Sequence, residues 1–384
     1  MARKRVERNI SYDDVRKKYY VNLDFGIDLE TGKQIKKSQT FDKLTQARAA
    51  LRKHEAARDV GLVVQPKETT VGQWLQFWME NVVHTNLAET TIYSYRKMIE
   101  NHIEPELGSV PLQKLTPQRL QQYYTKKMHE GSISSNTVRK HHDLLKTAFR
   151  FAVKQGVLLA NPTDRVEAPR VTQAEIHFYS EAELQKLLKL SENTRIEPLV
   201  KLAGLLGMRR EEIMGLTWDC VDFDANRLHI ASVRTAAGNE IVTKEPKTKN
   251  SRRTLYMPPL IVDVLMRTKD KQKYYRDLLG DAYQNNNYVL THEDGRPIRP
   301  NYASELFKRF ILDNDLPPLT LHGLRHSFAS VANAKGVSLF DIGKALGHSS
   351  TATTGKIYTH LLDQDHRNML EKMWSSEENN DSRE

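Results

Sequence analysis

The sequence predicts a multidomain, mainly α-helical protein with small β-sheets. Three observations predict this. Aromatic and β-branched residues with partial alternation gather in the N-terminal segment. From Thr70 onward, apolar residues recur at helical spacing between recognisable start and stop signals. The segment Asn161–Glu175, NPTDRVEAPRVTQAE, has two prolines and little periodicity, which marks a boundary between two helical regions.

In chain order, KKYYVNLDFGID reads as a strand, and Thr31-Gly32 supplies a turn. KQIKKSQTF reads as its partner strand, carrying exposed lysines. LTQARAALRKHEAARDVG follows as a helix of good helix formers stopped by Gly61. Residues 1–62 therefore read as a small α+β domain, and LVVQPKE as a linker. A basic sheet of this size can enter a DNA groove. It can equally be a solvated surface.

Residues 69–160 read as a helical domain. Thr70 with Gln73 fits a capping box ahead of VGQWLQFWMENVV, and TTIYSYRKMIENHI gives a second helix. The third, LTPQRLQQYYTKKMHEG, has Thr116 as cap, Pro117 at its first position and Gly131 beyond its end. The fourth, SSNTVRKHHDLLKTAFRFAVKQG, places Leu144, Leu145, Ala148, Phe149 and Ala152 on a core face and ends at Gly156. Its Arg139, Lys140, Lys146 and Arg150 are candidate contacts to DNA phosphates, or equally a solvated basic face. Residues 175–376 form the third predicted domain. It opens with a Ser180/Glu183 capping box and is mostly helical, with a strand group near residues 227–257. The acidic tail, 377–384, is expected to fray.

The 384 residues include 39% hydrophobic residues, enough for two or three cores. A single cysteine, Cys220, excludes a disulfide framework and a multi-cysteine zinc site. There is no long apolar run for a membrane span and no signal-peptide pattern, so a cytoplasmic protein with no membrane partner is expected. Lys and Arg number 58 against 48 acidic residues, a net charge of +10, which favours a polyanionic partner such as nucleic acid.

The chemistry-bearing residues lie in the last predicted domain. In GLLGMRREE, Gly207 ends one helix and Arg209 begins the next. A planar guanidinium suits a grip on two oxygens, although Arg209 could instead pair with Glu211 or Glu212. In LTLHGLRHSF, His322 and Arg325 are three apart, on one helical face near an N-terminus capped by Thr320. His322 and His326 have the spacing of a zinc-protease helix. Gly323 stands where that mechanism needs a glutamate, so zinc is rejected and His326 is read as structural. SLFDIGKALGHSS gives a short helix from Ser338 to Gly347, with His348 beyond its end. Gly343-Lys344 lacks the rest of a phosphate loop. Tyr358 follows in TTGKIYTHLL; a phenol can pack in a helix or act as a nucleophile. Two arginines, two histidines and a tyrosine together suit one problem. A phosphodiester attacked by a phenolate gains negative charge on its non-bridging oxygens, and fixed cations stabilise it without a metal.

On these residues the sequence resembles the tyrosine recombinases, of the integrase kind carried by temperate phages and integrative conjugative elements. The family's ordered pattern is Arg, Lys, His-x-x-Arg, His or Trp, then Tyr. The matching positions are Arg209 in GMRREE, His322 and Arg325, His348 in LGHSS and Tyr358 in IYTH. The family's hairpin lysine corresponds to Lys247 in KEPKTKNSRRT, with Lys249 and Lys244 as competitors. Glu211 departs from the glycine or serine of many relatives, while Glu212 matches the usual glutamate and is expected to orient Arg209 or its helix.

The resemblance implies an N-terminal arm-type DNA-binding domain with a three-stranded sheet and a helix, a helical SAM-like core-binding domain and a mixed α/β catalytic domain. It implies Tyr358 as nucleophile, a 3′-phosphotyrosyl intermediate, a Holliday junction and no cofactor. The partners implied are duplex DNA attachment sites, a homotetramer on DNA, and an excision factor or host DNA-bending protein. LLDQDHRNMLEKMW, after the tyrosine, reads as an amphipathic helix that docks on a neighbouring protomer or on its own domain. A type IB topoisomerase and a non-catalytic DNA-binding regulator are the rival classes.

Overall fold

A computed structural model describes residues 3–27, 34–59, 69–131, 133–172, 177–246 and 252–347. The chain divides into two compact units, Met1–Gln173 and Ala174–Glu384.

The first unit opens with an antiparallel meander of four strands: β1 Lys4–Glu7, β2 Ile10–Asp13, β3 Lys18–Ile27 and β4 Gln34–Phe41. Tyr20 of β3 pairs with Ser11 of β2 and Thr40 of β4, which fixes the register. Helix α1, Leu44–Asp59, packs on β3, and Ile10, Val21, Leu23 and Ala47 form a small core beneath it. Lys36 and Lys37 of β4 are exposed, as the strand reading requires. The sheet has four strands where the family resemblance implied three. β1 and β2 are four residues each, too short to show alternation, and are joined at Asn9, which takes a left-handed φ of 63°. The expected Thr31-Gly32 turn and Gly61 stop lie outside the described residues.

A helical layer follows. α2 is Val71–Trp78, and its Thr70/Gln73 capping box forms at both ends: Gln73 N donates to Thr70 Oγ1 at 3.3 Å and Thr70 N to Gln73 Oε1 at 2.9 Å. It runs through a π-helical turn, Met79–Val83, into α3, His84–Asn86. α4, Glu89–Met98, likewise continues through a π turn, Ile99–Ile103, into α5, Glu104–Leu107. Both stretches read as plain helices in the sequence. Met79 with Val83 and Ile99 with Ile103 are buried pairs four apart, a spacing that suits α and π windings alike. α6, Pro117–His129, is capped by Thr116, and α7, Ser135–Lys154, by Ser134. Leu144, Leu145, Ala148, Phe149 and Ala152 all sit in the core with Trp74, Trp78 and Tyr124.

In the second unit, α8, Glu181–Ser191, begins at the Ser180/Glu183 capping box. α9, Glu197–Leu206, and the short α10, Arg210–Met214, are separated by Gly207 to Arg209. Two small antiparallel sheets follow. One joins β5 Val221–Asp222, β6 Arg227–His229 and β9 Thr254–Tyr256; the other is a hairpin of β7 Val233–Ala237 and β8 Glu240–Lys244. Among the described residues, the α-helices that follow are α11 Pro259–Leu279, α12 Pro300–Asp313, α13 Leu321–Ala334 and α14 Leu339–Leu346. α13 packs against α9, where Gly204 brings the helices close: a Cβ there would lie 3.2 Å from Leu184 Cδ1 and 3.4 Å from Leu324 Cδ1. α14 packs on α13 through Ala329, Ile342 and Leu346. Among the described residues, no helix is long and apolar enough to cross a membrane.

Candidate active site

α9 ends at Gly207, whose φ of 61° is left-handed and therefore suits glycine. The reversal sets Arg209 at the N-cap of α10, its side chain about one third exposed (31%). Across from it, α13 begins at Thr320, whose hydroxyl accepts from Gly323 N at 2.9 Å. That start places His322 and Arg325 on one face. Arg209, His322 and Arg325 all line a single cavity of about 960 Å³, with Arg210, Glu211 and Lys308 also on its wall.

The arginines are not loose side chains. Arg325 is 2% exposed and ties together two helix ends: its Nη1 donates to Gly207 O and its Nη2 to Leu346 O, each at 2.6 Å. These are C-terminal carbonyls that their own helices leave unsatisfied, at the negative end of each dipole. Arg209 Nη1 donates to Glu212 Oε1 at 2.8 Å, its backbone N to Glu212 Oε2 at 2.9 Å, and its Nη2 to Gly347 O at 3.3 Å. Glu212 therefore holds Arg209 by both side chain and backbone. Burial raises the affinity of Glu212 for a proton, but its bonds to Arg253 and Arg209 outweigh burial and hold the carboxyl below the ordinary range.

Arg253 escaped the sequence reading. Its side chain is 8% exposed, and it grips Glu212 with both terminal nitrogens at 3.0 Å while Nε donates to Ala345 O at 2.7 Å. The doublet Arg252-Arg253 was visible, but nothing in the sequence separates an inward arginine from an outward one. Arg252 pairs instead with Glu245 at the surface.

His322 stacks edge-on against His326, ring centroids 4.6 Å apart, and His326 is buried. Burial lowers the His322 pKa below the ordinary histidine range; Arg325 and Arg209 push the same way and Glu211 opposes them. Neutral His322 at pH 7 is thus an acceptor or single donor beside two fixed cations. Glu211 is held by Arg210, whose Nη2 donates to Glu211 Oε1 at 2.8 Å and whose Nη1 donates to Ser304 Oγ at 2.8 Å. Among the described residues, no group of three His, Cys, Asp or Glu side chains could hold a metal ion.

Lys244 is the last residue of β8, partly buried and paired in register with Val233. Lys247, Lys249, His348, Tyr358 and the segment LLDQDHRNMLEKMW lie outside the described residues. Of the four candidate phosphate contacts on α7, Lys140 and Arg150 are exposed. Arg139 and Lys146 sit beside acids, with Arg139 Nε 3.1 Å from Asp143 Oδ1 and Lys146 Nζ 3.4 Å from Asp164 Oδ1.

Residues 177–365 match the phage integrase family, and residues 70–128 match the phage integrase N-terminal SAM-like domain. The chain belongs to the phage integrase family of tyrosine recombinases. It is a site-specific tyrosine recombinase, an enzyme of DNA strand breakage and rejoining. The recombinase is 29% identical to the "Tyrosine recombinase XerC-like" protein of Caldanaerobacter subterraneus, over 93% of this chain and 96% of that protein. It is 26% identical to the ICEBs1 integrase of Bacillus subtilis, over 92% of this chain and 96% of that one. Its fold is that of the Tn1549 transposon integrase solved with circular intermediate DNA, at a TM-score of 0.68, 19% identity, and coverage of 79% of this chain and 99% of that one. A lambda integrase tetramer bound to a Holliday junction is also similar in fold, at a TM-score of 0.56, 17% identity, and coverage of 93% and 96%.

Proposed function

We propose that this recombinase integrates and excises a mobile element at duplex DNA attachment sites, using Tyr358 as its nucleophile. The phenolate oxygen of Tyr358 attacks the scissile phosphorus. The bond to the 5′-oxygen breaks, and that oxygen leaves with a proton from Lys247, yielding a 3′-phosphotyrosyl bond and a free 5′-hydroxyl. Attack of that hydroxyl on the 3′-phosphotyrosyl bond of the partner duplex releases the tyrosine held there and builds a Holliday junction. The phosphotyrosine conserves the bond energy, so neither metal nor nucleotide cofactor takes part.

Arg209 and Arg325 meet the non-bridging oxygens, where negative charge grows in the transition state. His322 and His348 complete the hydrogen-bonding shell. The observation that carries this reading is the convergence of Arg209, His322 and Arg325 on one cavity, with both arginines bonded to the helix end that leads into His348. Arg139, Lys140, Lys146 and Arg150 on α7 contact phosphates outside the cleavage point. The active assembly is a homotetramer on two sites in the bacterial cytoplasm, assisted by an excision factor or a host DNA-bending protein. Residues 1–62 bind arm-type sites, 69–160 bind the core site and 175–376 carry the chemistry.

The test is strand exchange between an attachment site on a supercoiled plasmid and a labelled attachment-site duplex. Recombinant products and a four-way junction intermediate are expected. Relaxation of supercoiled plasmid without any exchanged product would refute site-specific recombination.

A further inference from the structure

Glu212 is the charge on which the two arginines converge. Its side chain is 1% exposed, and each of its oxygens accepts two bonds, one from Arg253 and one from Arg209. A buried carboxylate bound by one arginine alone cancels that arginine's charge. Here the charges of Glu212, Arg209 and Arg253 sum to plus one, and the more exposed guanidinium, that of Arg209, faces the cavity. Removal of Arg253 alone would bring the sum to zero, in a setting where little water screens the loss.

These two arginines, together with Arg325, also hold one stretch of backbone. Arg253 Nε donates to Ala345 O, Arg325 Nη2 to Leu346 O and Arg209 Nη2 to Gly347 O, at 2.7, 2.6 and 3.3 Å. Three guanidinium groups thus take three successive carbonyls at the end of α14, immediately before His348. They satisfy carbonyls that the end of α14 leaves without intrahelical partners, at the negative end of its dipole.

We propose that Arg253 is a positioning residue for DNA cleavage: it neutralises Glu212 and fixes the end of α14, leaving Arg209 a net positive charge for the scissile phosphate. The inference rests on the reading of Arg209 as a phosphate ligand. Arg253 is not on the cavity wall, and its Nε, Nη1 and Nη2 bond Ala345 O and Glu212, so it acts through Arg209 rather than on the substrate.

The experiment measures the single-turnover rate of covalent complex formation, with duplex affinity measured separately. It uses the full chain and a labelled duplex spanning the ends of the host element. Arg253→Met is expected to slow cleavage by about 100-fold while duplex affinity changes by less than about threefold. Glu212→Gln in the Arg253→Met background restores the charge sum to plus one and is expected to recover about tenfold of that loss. Arg253→Lys, which keeps charge without the fork, should fall between wild type and Arg253→Met. A double variant no faster than Arg253→Met would overturn charge compensation, as would wild-type cleavage by Arg253→Met. Should Arg253→Met fail to fold, the double variant decides, since it buries no unpaired carboxylate; a folded double as inactive as Arg209→Ala overturns the proposal. Arg209→Ala separates the role of Arg209 from that of Arg253. Wild-type cleavage by Arg209→Ala defeats the phosphate reading itself, whereas an inactive Arg209→Ala beside a normal Arg253→Met defeats only the inference.

Discussion

Arg325→Lys tests whether the second arginine of the site is a brace as well as an anion ligand. The native guanidinium spans Gly207 O and Leu346 O, both at 2.6 Å, and so joins the end of α9 to the end of α14. A lysine ammonium is a point donor on a flexible stem and cannot take both carbonyls in that geometry. A hydrogen bond to a charged group contributes about 1.5–3 kcal/mol, so loss of one bond costs about 2 kcal/mol before any orphaned carbonyl is counted. That cost falls on the local opening of α14 rather than on the whole chain. An opening free energy lower by about 2 kcal/mol speeds amide exchange about 30-fold. Native-state hydrogen exchange on the full chain reads it directly. Amides of Leu339–Leu346 should exchange about 30-fold faster, with α11 unchanged, and cleavage should fall by orders of magnitude. Lost cleavage with unchanged exchange in α14 would refute the bracing role. It would leave Arg325 as a phosphate ligand alone.

Two further perturbations follow from the same geometry and from the helical layer. His141 is fully buried with Tyr123 Oη 3.0 Å from its Nδ1, and its Nε2 has no partner among the described residues. Burial, with neighbouring His102 and Lys127, lowers its pKa to about 4. The unfolded chain therefore binds a proton near pH 6.5 that the folded one refuses until about 4, so this stability is present above pH 6.5 and is lost as pH falls to about 4. The loss is at most about 3 kcal/mol. His141→Gln should flatten the acid limb of a pH–denaturation profile, and an unchanged limb would count against the assignment. At Gly207 an added Cβ would lie 2.6 Å from both Leu346 Cδ2 and Phe328 Cδ1, at a φ of 61°. Gly207→Ala should cost about 2–4 kcal/mol in thermal unfolding and slow cleavage with it; an unchanged melting temperature would contradict the close approach.

The sequence disclosed the polar and periodic parts of this fold well. Capping residues Thr70, Ser180 and Thr320 sit where their hydrogen bonds require, because a cap is a local interaction written in a few adjacent residues. Arg209, His322 and Arg325 were legible by motif and spacing, and they line one cavity. What the sequence hid has physical causes. Two partners of Arg325 are backbone carbonyls, and a carbonyl carries no residue-specific signal, so these bracing bonds were not legible in the motif. Arg253 lay beside Arg252 in a basic run, and only the fold distinguishes the arginine packed on Glu212 from the one paired at the surface. The strands β1 and β2 were too short to show a period, and the π turns after Trp78 and Met98 share the apolar spacing of an α-helix.

Covalent capture of DNA reads the role of Tyr358 as nucleophile. The full chain is incubated with labelled duplex spanning the ends of the host element, denatured in SDS and resolved by size, with Tyr358→Phe beside it. Nucleophilic attack by Tyr358 predicts a labelled protein–DNA complex with the wild type alone, because only the phenol can hold the phosphate. An equal complex from Tyr358→Phe would contradict it and place the nucleophile on another residue.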